Sequence, residues 1–136
     1  MKRVFFLIFN LALIIAMSCE GGLLVDCNDC DWDEPYEARL TGKIDIHYHE
    51  GVLVQVWEGT QEDGLLIDSA LVYTSTFEKT VPLNRQYTLA ATYVIDGKTY
   101  VVVNSASPKV KYTDSQCDDP CYQVYGDNVN LKLKHK

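Results

Sequence analysis

Five cysteines carry the most definite chemistry in this 136-residue chain. Cys27-x2-Cys30 lies toward the N-terminus, Cys117-x3-Cys121 toward the C-terminus, and Cys19 stands apart. In an exported chain, an even set of four reads first as two disulfides, because thiols oxidise outside the cytosol. Three connectivities are open. Cross-pairing between the two motifs is favoured slightly. It closes a loop of about 90 residues and adds roughly 4 kcal/mol on the chain-entropy model, whereas local pairs close only tiny loops. The alternative is a four-cysteine zinc site, since C-x2-C with C-x3-C is near the usual ligand spacing. An oxidising compartment argues against it. A thioredoxin-like role for Cys27 and Cys30 is disfavoured. Asp26, Asp29 and Asp31 place negative charge beside the thiols, which opposes the reactive thiolate, and no βαβ pattern follows.

Other constellations are weaker. Asp45, His47 and His49 fall at i, i+2 and i+4, so a strand would place them on one face, opposite Ile44, Ile46 and Tyr48. Two histidines so spaced can hold a transition metal if a neighbouring strand supplies a third ligand. An exposed polar strand face is the simpler expectation. Asp29-x-Asp31-x-Asp33 opens like a calcium loop, but an EF-hand needs Gly at its sixth position and Glu at its twelfth, where this chain has Glu34 and Leu40. A looser carboxylate site built from Asp26, Asp29, Asp31 and Asp33 competes with a solvated acidic linker. Nine tyrosines and two tryptophans suggest a glycan platform, although aromatics inside strands usually serve packing. Trp57 is the candidate for an exposed ligand-binding ring, because it alternates with Val54 and Val56 and shares a face with Gln55. No nucleophile–base or zinc-protease pattern is present, and the only histidines are His47, His49 and His135. The chain is therefore expected not to be an enzyme and to need no cofactor.

The N-terminus is an address. Lys2 and Arg3 precede an apolar run over residues 4–17, broken only by Asn10. As a helix this run would span about 21 Å, short of the roughly 30 Å hydrocarbon core. It suits the h-region of a signal peptide. Ala16-Met17-Ser18-Cys19 then resembles the lipobox of bacterial lipoproteins, with Ala16 in place of the commoner Leu. The resemblance implies cleavage before Cys19 and lipidation of that cysteine by diacylglycerol and a further acyl chain such as palmitate. At roughly 0.8 kcal/mol per buried CH2, three chains would hold the protein on the bilayer. Processing would remove two basic residues, so 10 basic would face 19 acidic side chains and the net charge would move from −7 to −9. Residues 20–63 hold 12 acidic and 2 basic side chains, and residues 64–136 hold 7 and 8. An acidic chain is a poor partner for a phosphate backbone, so nucleic acid is not expected.

Positioning falls to strands. From residue 38 onward helical periodicity is nearly absent, and β-branched or aromatic runs alternate with turn signals. Strands are expected over residues 43–49, 52–57, 65–73, 77–83, 87–94, 99–105, 110–113, 122–125 and 129–133. Asp96-Gly97 is the strongest hairpin signal, and Pro82 marks a strand edge or end. Such spacing implies an all-β, antiparallel sandwich of about seven to eight strands.

Leu40-Thr41-Gly42-Lys43-Ile44, a valine-rich strand, a Gly-bearing turn, a Phe strand and then Val81-Pro82-Leu83-Asn84-Arg85-Gln86-Tyr87-Thr88-Leu89 resemble the transthyretin-like, carboxypeptidase-regulatory-like sandwich. An Ig-like sandwich is the neighbouring possibility. The resemblance covers about half of the chain and carries no catalytic residues. It implies a binding, adhesive or assembly module, of a kind frequent in small lipoproteins of Gram-negative bacteria. The expected organisation is a signal peptide over 1–18, a lipidated acidic tether over 19–37 and a sandwich over 38–136. The expected place is a bacterial membrane, most simply the outer one, facing periplasm or exterior, with a protein or glycan partner.

Overall fold

The computed structural model describes residues 27–46, 51–113, 117 and 120–134. Among the described residues a 3-10 turn, Cys27–Asp29, precedes nine strands: β1 Glu37–Lys43, β2 Val52–Glu58, β3 Leu65–Val72, β4 Thr76–Pro82, β5 Tyr87–Ile95, β6 Lys98–Ala106, β7 Lys109–Thr113, β8 Cys121–Tyr125 and β9 Asn128–Asn130. They form a three-stranded sheet ordered β4-β1-β9, a four-stranded sheet ordered β3-β2-β5-β6, and a separate β7-β8 ribbon. All pairings are antiparallel except β1 with β9, which is parallel. The fold is an all-β sandwich.

Period-2 alternation builds the core. Val52, Val54 and Val56 of β2 and Tyr87, Leu89, Ala91 and Tyr93 of β5 point inward from the large sheet. Leu40 of β1, Phe77 and Val81 of β4, and Val129 of β9 meet them from the small sheet. Each fully buried aliphatic side chain contributes roughly 1.5–3 kcal/mol. The hairpin at Asp96-Gly97 forms as expected, with φ of 50° and 73° at the two loop residues, as a right-twisted β5-β6 pair needs.

The first strand departs from the alternation read over residues 43–49. β1 lies six residues earlier, and the chain leaves the strand at Lys43. Ala38, Leu40 and Gly42 face inward there, a weak apolar signal because two of the three residues are so small. Gly42 is needed for packing. A Cβ at this position would lie 2.9 Å from Leu131 Cδ1, where the chain after β9 continues alongside β1 and Leu131 N–H donates to the Lys43 carbonyl at 2.8 Å. β9 is also shorter than the alternation over residues 129–133 suggests, although Leu131 is still fully buried.

The two outer faces of the sandwich differ. On the small sheet, Glu37, Arg39 and Lys43 of β1 and Glu78 of β4 point to solvent, and Arg39 pairs with Glu78 at 3.7 Å. On the large sheet, Leu53, Gln55 and Trp57 of β2 lie beside Thr92, Ala90 and Thr88 of β5, with Leu71, Ser69 and Leu66 of β3 and Val101, Val103 and Ser105 of β6 flanking them. Among the described residues, no charged side chain stands on this face. One margin between the sheets is bridged by Lys79 of β4 and Asp68 of β3 at 3.1 Å. The other is bridged by Asn104 Nδ2, which donates to the Asn130 carbonyl at 3.2 Å.

Candidate functional site

The four cysteines other than Cys19 converge. Cys27 bonds to Cys117 and Cys30 to Cys121, with Cα separations of 5.8 and 4.8 Å, so the cross-pairing expectation holds. Backbone pairing places them. Asp31 and Tyr122 exchange two N–H···O bonds of 3.0 Å, laying the segment after Cys30 along β8. The C-x2-C sits on the 3-10 turn and the C-x3-C runs into the start of β8. The two bonds span 90 and 91 residues. They stitch the acidic segment from Cys27 to the ribbon, so the described part of the expected tether is fastened to the domain.

The cluster is tight. Cys30 Sγ lies 4.0 Å from Cys117 Sγ, in the other disulfide. The sulfurs of Cys30, Cys117 and Cys121 all lie within 4.8 Å of one another. Cys121 is fully buried. Tyr112 and Tyr122 pack as a tilted pair across the ribbon, with ring centroids 5.0 Å apart.

Of the Asp45, His47, His49 face, the described residues include only Asp45. His47 and His49 lie outside the described residues, as do Tyr48, Cys19 and the apolar run before it. Asp45 is buried at 7% exposure and follows the buried Ile44, while Ile46 is 44% exposed. Strict alternation fails because β1 has ended at Lys43, and the successive residues Ile44 and Asp45 are both buried. Asp45 N–H donates to the Tyr93 hydroxyl at 3.2 Å, and that hydroxyl donates to the Leu131 carbonyl at 2.6 Å. Tyr93 thus joins β5 to the two chain segments that follow β1 and β9. Burial pushes its phenol above the ordinary value, the Asp45 N–H opposes that shift, and the Asp45 charge adds to it. Tyr87 is raised too, first by burial and then by the Glu58 charge, with Arg85 opposing. Its hydroxyl donates to the Pro82 carbonyl at 2.8 Å.

Trp57 does occupy the outer face of the large sheet, as its alternation with Val56 requires. It is only 9% exposed, however, which corrects the expectation of an open ring. Ala90 and Thr88 on the same face are also buried, and the Thr88 hydroxyl donates to the Gly59 carbonyl at 2.6 Å. Sequence alternation identifies the face but not how densely its neighbours cover it. The strongly exposed aromatics are instead Trp32, Tyr36 and Tyr73.

A groove of about 600 Å3 runs along the β6 margin, lined by Val101–Asn104, Asn130, Lys132 and Lys134. It gathers two lysines in an otherwise acidic chain, and no single motif in the sequence pointed to them as a group. Scans against protein-family models, curated proteins and solved structures return no match to this chain.

Proposed function

We propose that the chain is the precursor of a lipid-anchored bacterial protein whose sandwich, of transthyretin-like type, is a non-catalytic binding or assembly module with a protein or glycan partner. The observation that carries this reading is the cysteine count. Cys27, Cys30, Cys117 and Cys121 are consumed by two disulfides. Cys19 is thereby left as the odd cysteine, directly after Ala16-Met17-Ser18 at the end of an apolar run. Disulfides support an oxidising compartment, and a lipobox supports acylation of that cysteine. The anchored domain would face the periplasm or the exterior, most simply from the outer membrane.

Intact-mass analysis of the protein recovered from bacterial membranes tests this directly. The mature chain should begin at Cys19 and carry the mass of a diacylglyceryl group and one further acyl chain. Cys19→Ala should stall processing or release the protein. Normal processing and full membrane retention of Cys19→Ala would overturn the reading.

A zinc site on the four cysteines is the second reading, favoured by the clustering of the Cys30, Cys117 and Cys121 sulfurs. It requires both disulfides to be reduced, since zinc binds thiolates. Elemental analysis of protein purified without reductant discriminates: one equivalent of zinc supports it, and none removes it.

A further inference from the structure

We propose that the uncharged outer face of the four-stranded sheet is an interface on which two copies of this chain pack face to face. The face is unlike the rest of the molecule. Leu53, Leu66, Leu71, Val94, Val101 and Val103 stand on it at 37–54% exposure, spread over all four strands. Its remaining described positions are neutral, in a chain whose residues are 23% charged. The opposite face of the sandwich carries Glu37, Arg39, Lys43 and Glu78. Alternation that places apolar residues on both faces of one sheet is the pattern of a sheet covered on both sides.

Charge selects the occupant. The net charge of −7, or −9 after processing, comes from the acidic residues of 20–63, so surfaces that carry those side chains repel a second copy. This face brings no like charges together, so it is where a second copy can approach. A lipid surface fits poorly. The face lies between two open sheet edges, β3 and β6, and their unpaired backbone groups would have to enter hydrocarbon. Area sets the strength. Four strands about 4.8 Å apart and seven residues at about 3.3 Å rise give a face of roughly 19 by 23 Å, or on the order of 450 Å2 in projection. Two such faces, about 10 Å apart as in ordinary sheet packing, bury on the order of 900 Å2, just below the roughly 1,000 Å2 of a specific stable interface and in the range of weak ones. The dimer is therefore weak and reversible. The inference does not depend on the lipid anchor.

Sedimentation velocity on the protein matured from full-length expression, with any acyl chains held in a non-ionic detergent, tests it over about 1 to 100 µM, where a small interface should dissociate. The expected result is a concentration-dependent dimer that holds or strengthens as salt screens the net charge. Val101→Lys and Leu71→Lys, at half-exposed positions on opposite sides of the face, should each weaken it at least tenfold. Thr80→Lys, on the charged sheet, makes the same charge change and should not weaken it. Near-UV circular dichroism identifies any variant that fails to fold, and the remaining lysine variant then decides. A monomer throughout the range overturns the proposal, including one that binds anionic vesicles or a different protein. So does a dimer that both lysine variants leave intact, or one that salt dissolves.

Discussion

Deleting the disulfides one at a time and together tests how the fold is held closed. Each bond spans about 90 residues, so either alone is worth about 4.5 kcal/mol on the chain-entropy model. They are not worth that much together. Once Cys27–Cys117 is made, Cys30–Cys121 closes only the small ring through the two motifs, of about eight residues, worth about 2.5 kcal/mol. Cys27→Ala/Cys117→Ala should therefore cost only about 2.5 kcal/mol, and Cys30→Ala/Cys121→Ala about the same, because the surviving bond still closes the long loop. Removing all four should cost about 7 kcal/mol, which rivals the whole stability of an ordinary domain. Guanidinium unfolding of the three variants beside the wild type measures these losses. The signature is a quadruple variant that loses more than the sum of the two pairwise variants. Simple additivity would refute the shared-loop argument, and so would a quadruple variant that loses less than about 4 kcal/mol.

Further outcomes follow from the packing. Tyr93→Phe removes the hydroxyl that bridges Asp45 N–H and the Leu131 carbonyl, and should lower unfolding free energy by about 1–3 kcal/mol in chemical denaturation. Because burial raises the Tyr93 and Tyr87 phenols, the unfolded chain ionises first. Stability from these groups is present in full below about pH 10 and falls as pH rises beyond it, and Tyr93→Phe should shallow that alkaline slope in pH-dependent melts. Gly42→Ala should cost about 1–3 kcal/mol through crowding against Leu131, as read by thermal or denaturant unfolding. In the same assay Gly97→Ala, whose Cβ meets nothing within 4 Å, should lose only about 1–2 kcal/mol, from its φ of 73°.

The covalent plan and the strand inventory were legible in the residues themselves. Four cysteines in two close-spaced pairs admit few arrangements, and Asp-Gly between two alternating runs is local turn chemistry that needs no distant contact. The β2, β4 and β5 runs could be placed because valine, phenylalanine and tyrosine recur at period 2 there, and β6 because the β-branched run Val101-Val102-Val103 follows the Asp96-Gly97 turn. β1 was displaced because its inward residues, Ala38 and Gly42, are small, and at Gly42 the reason lies at Leu131, some 90 positions along the chain. Asp45 looked like a solvent-facing partner of two histidines, and only the end of β1 and the arrival of Tyr93 turned it inward.

Sequence by itself determined which residues must be extended, which cysteines are available to pair, and that an apolar run over residues 4–17 leads up to the odd one. Tertiary structure alone decided the rest: that β1 pairs in parallel with β9, that Cys27 meets Cys117 rather than Cys121, and that Trp57 is covered. It also showed that the uncharged positions of four separate strands form one continuous face. The physical reason is range. Alternation and turn propensity act over a few residues, whereas burial and register come from contacts between segments that the linear order leaves far apart.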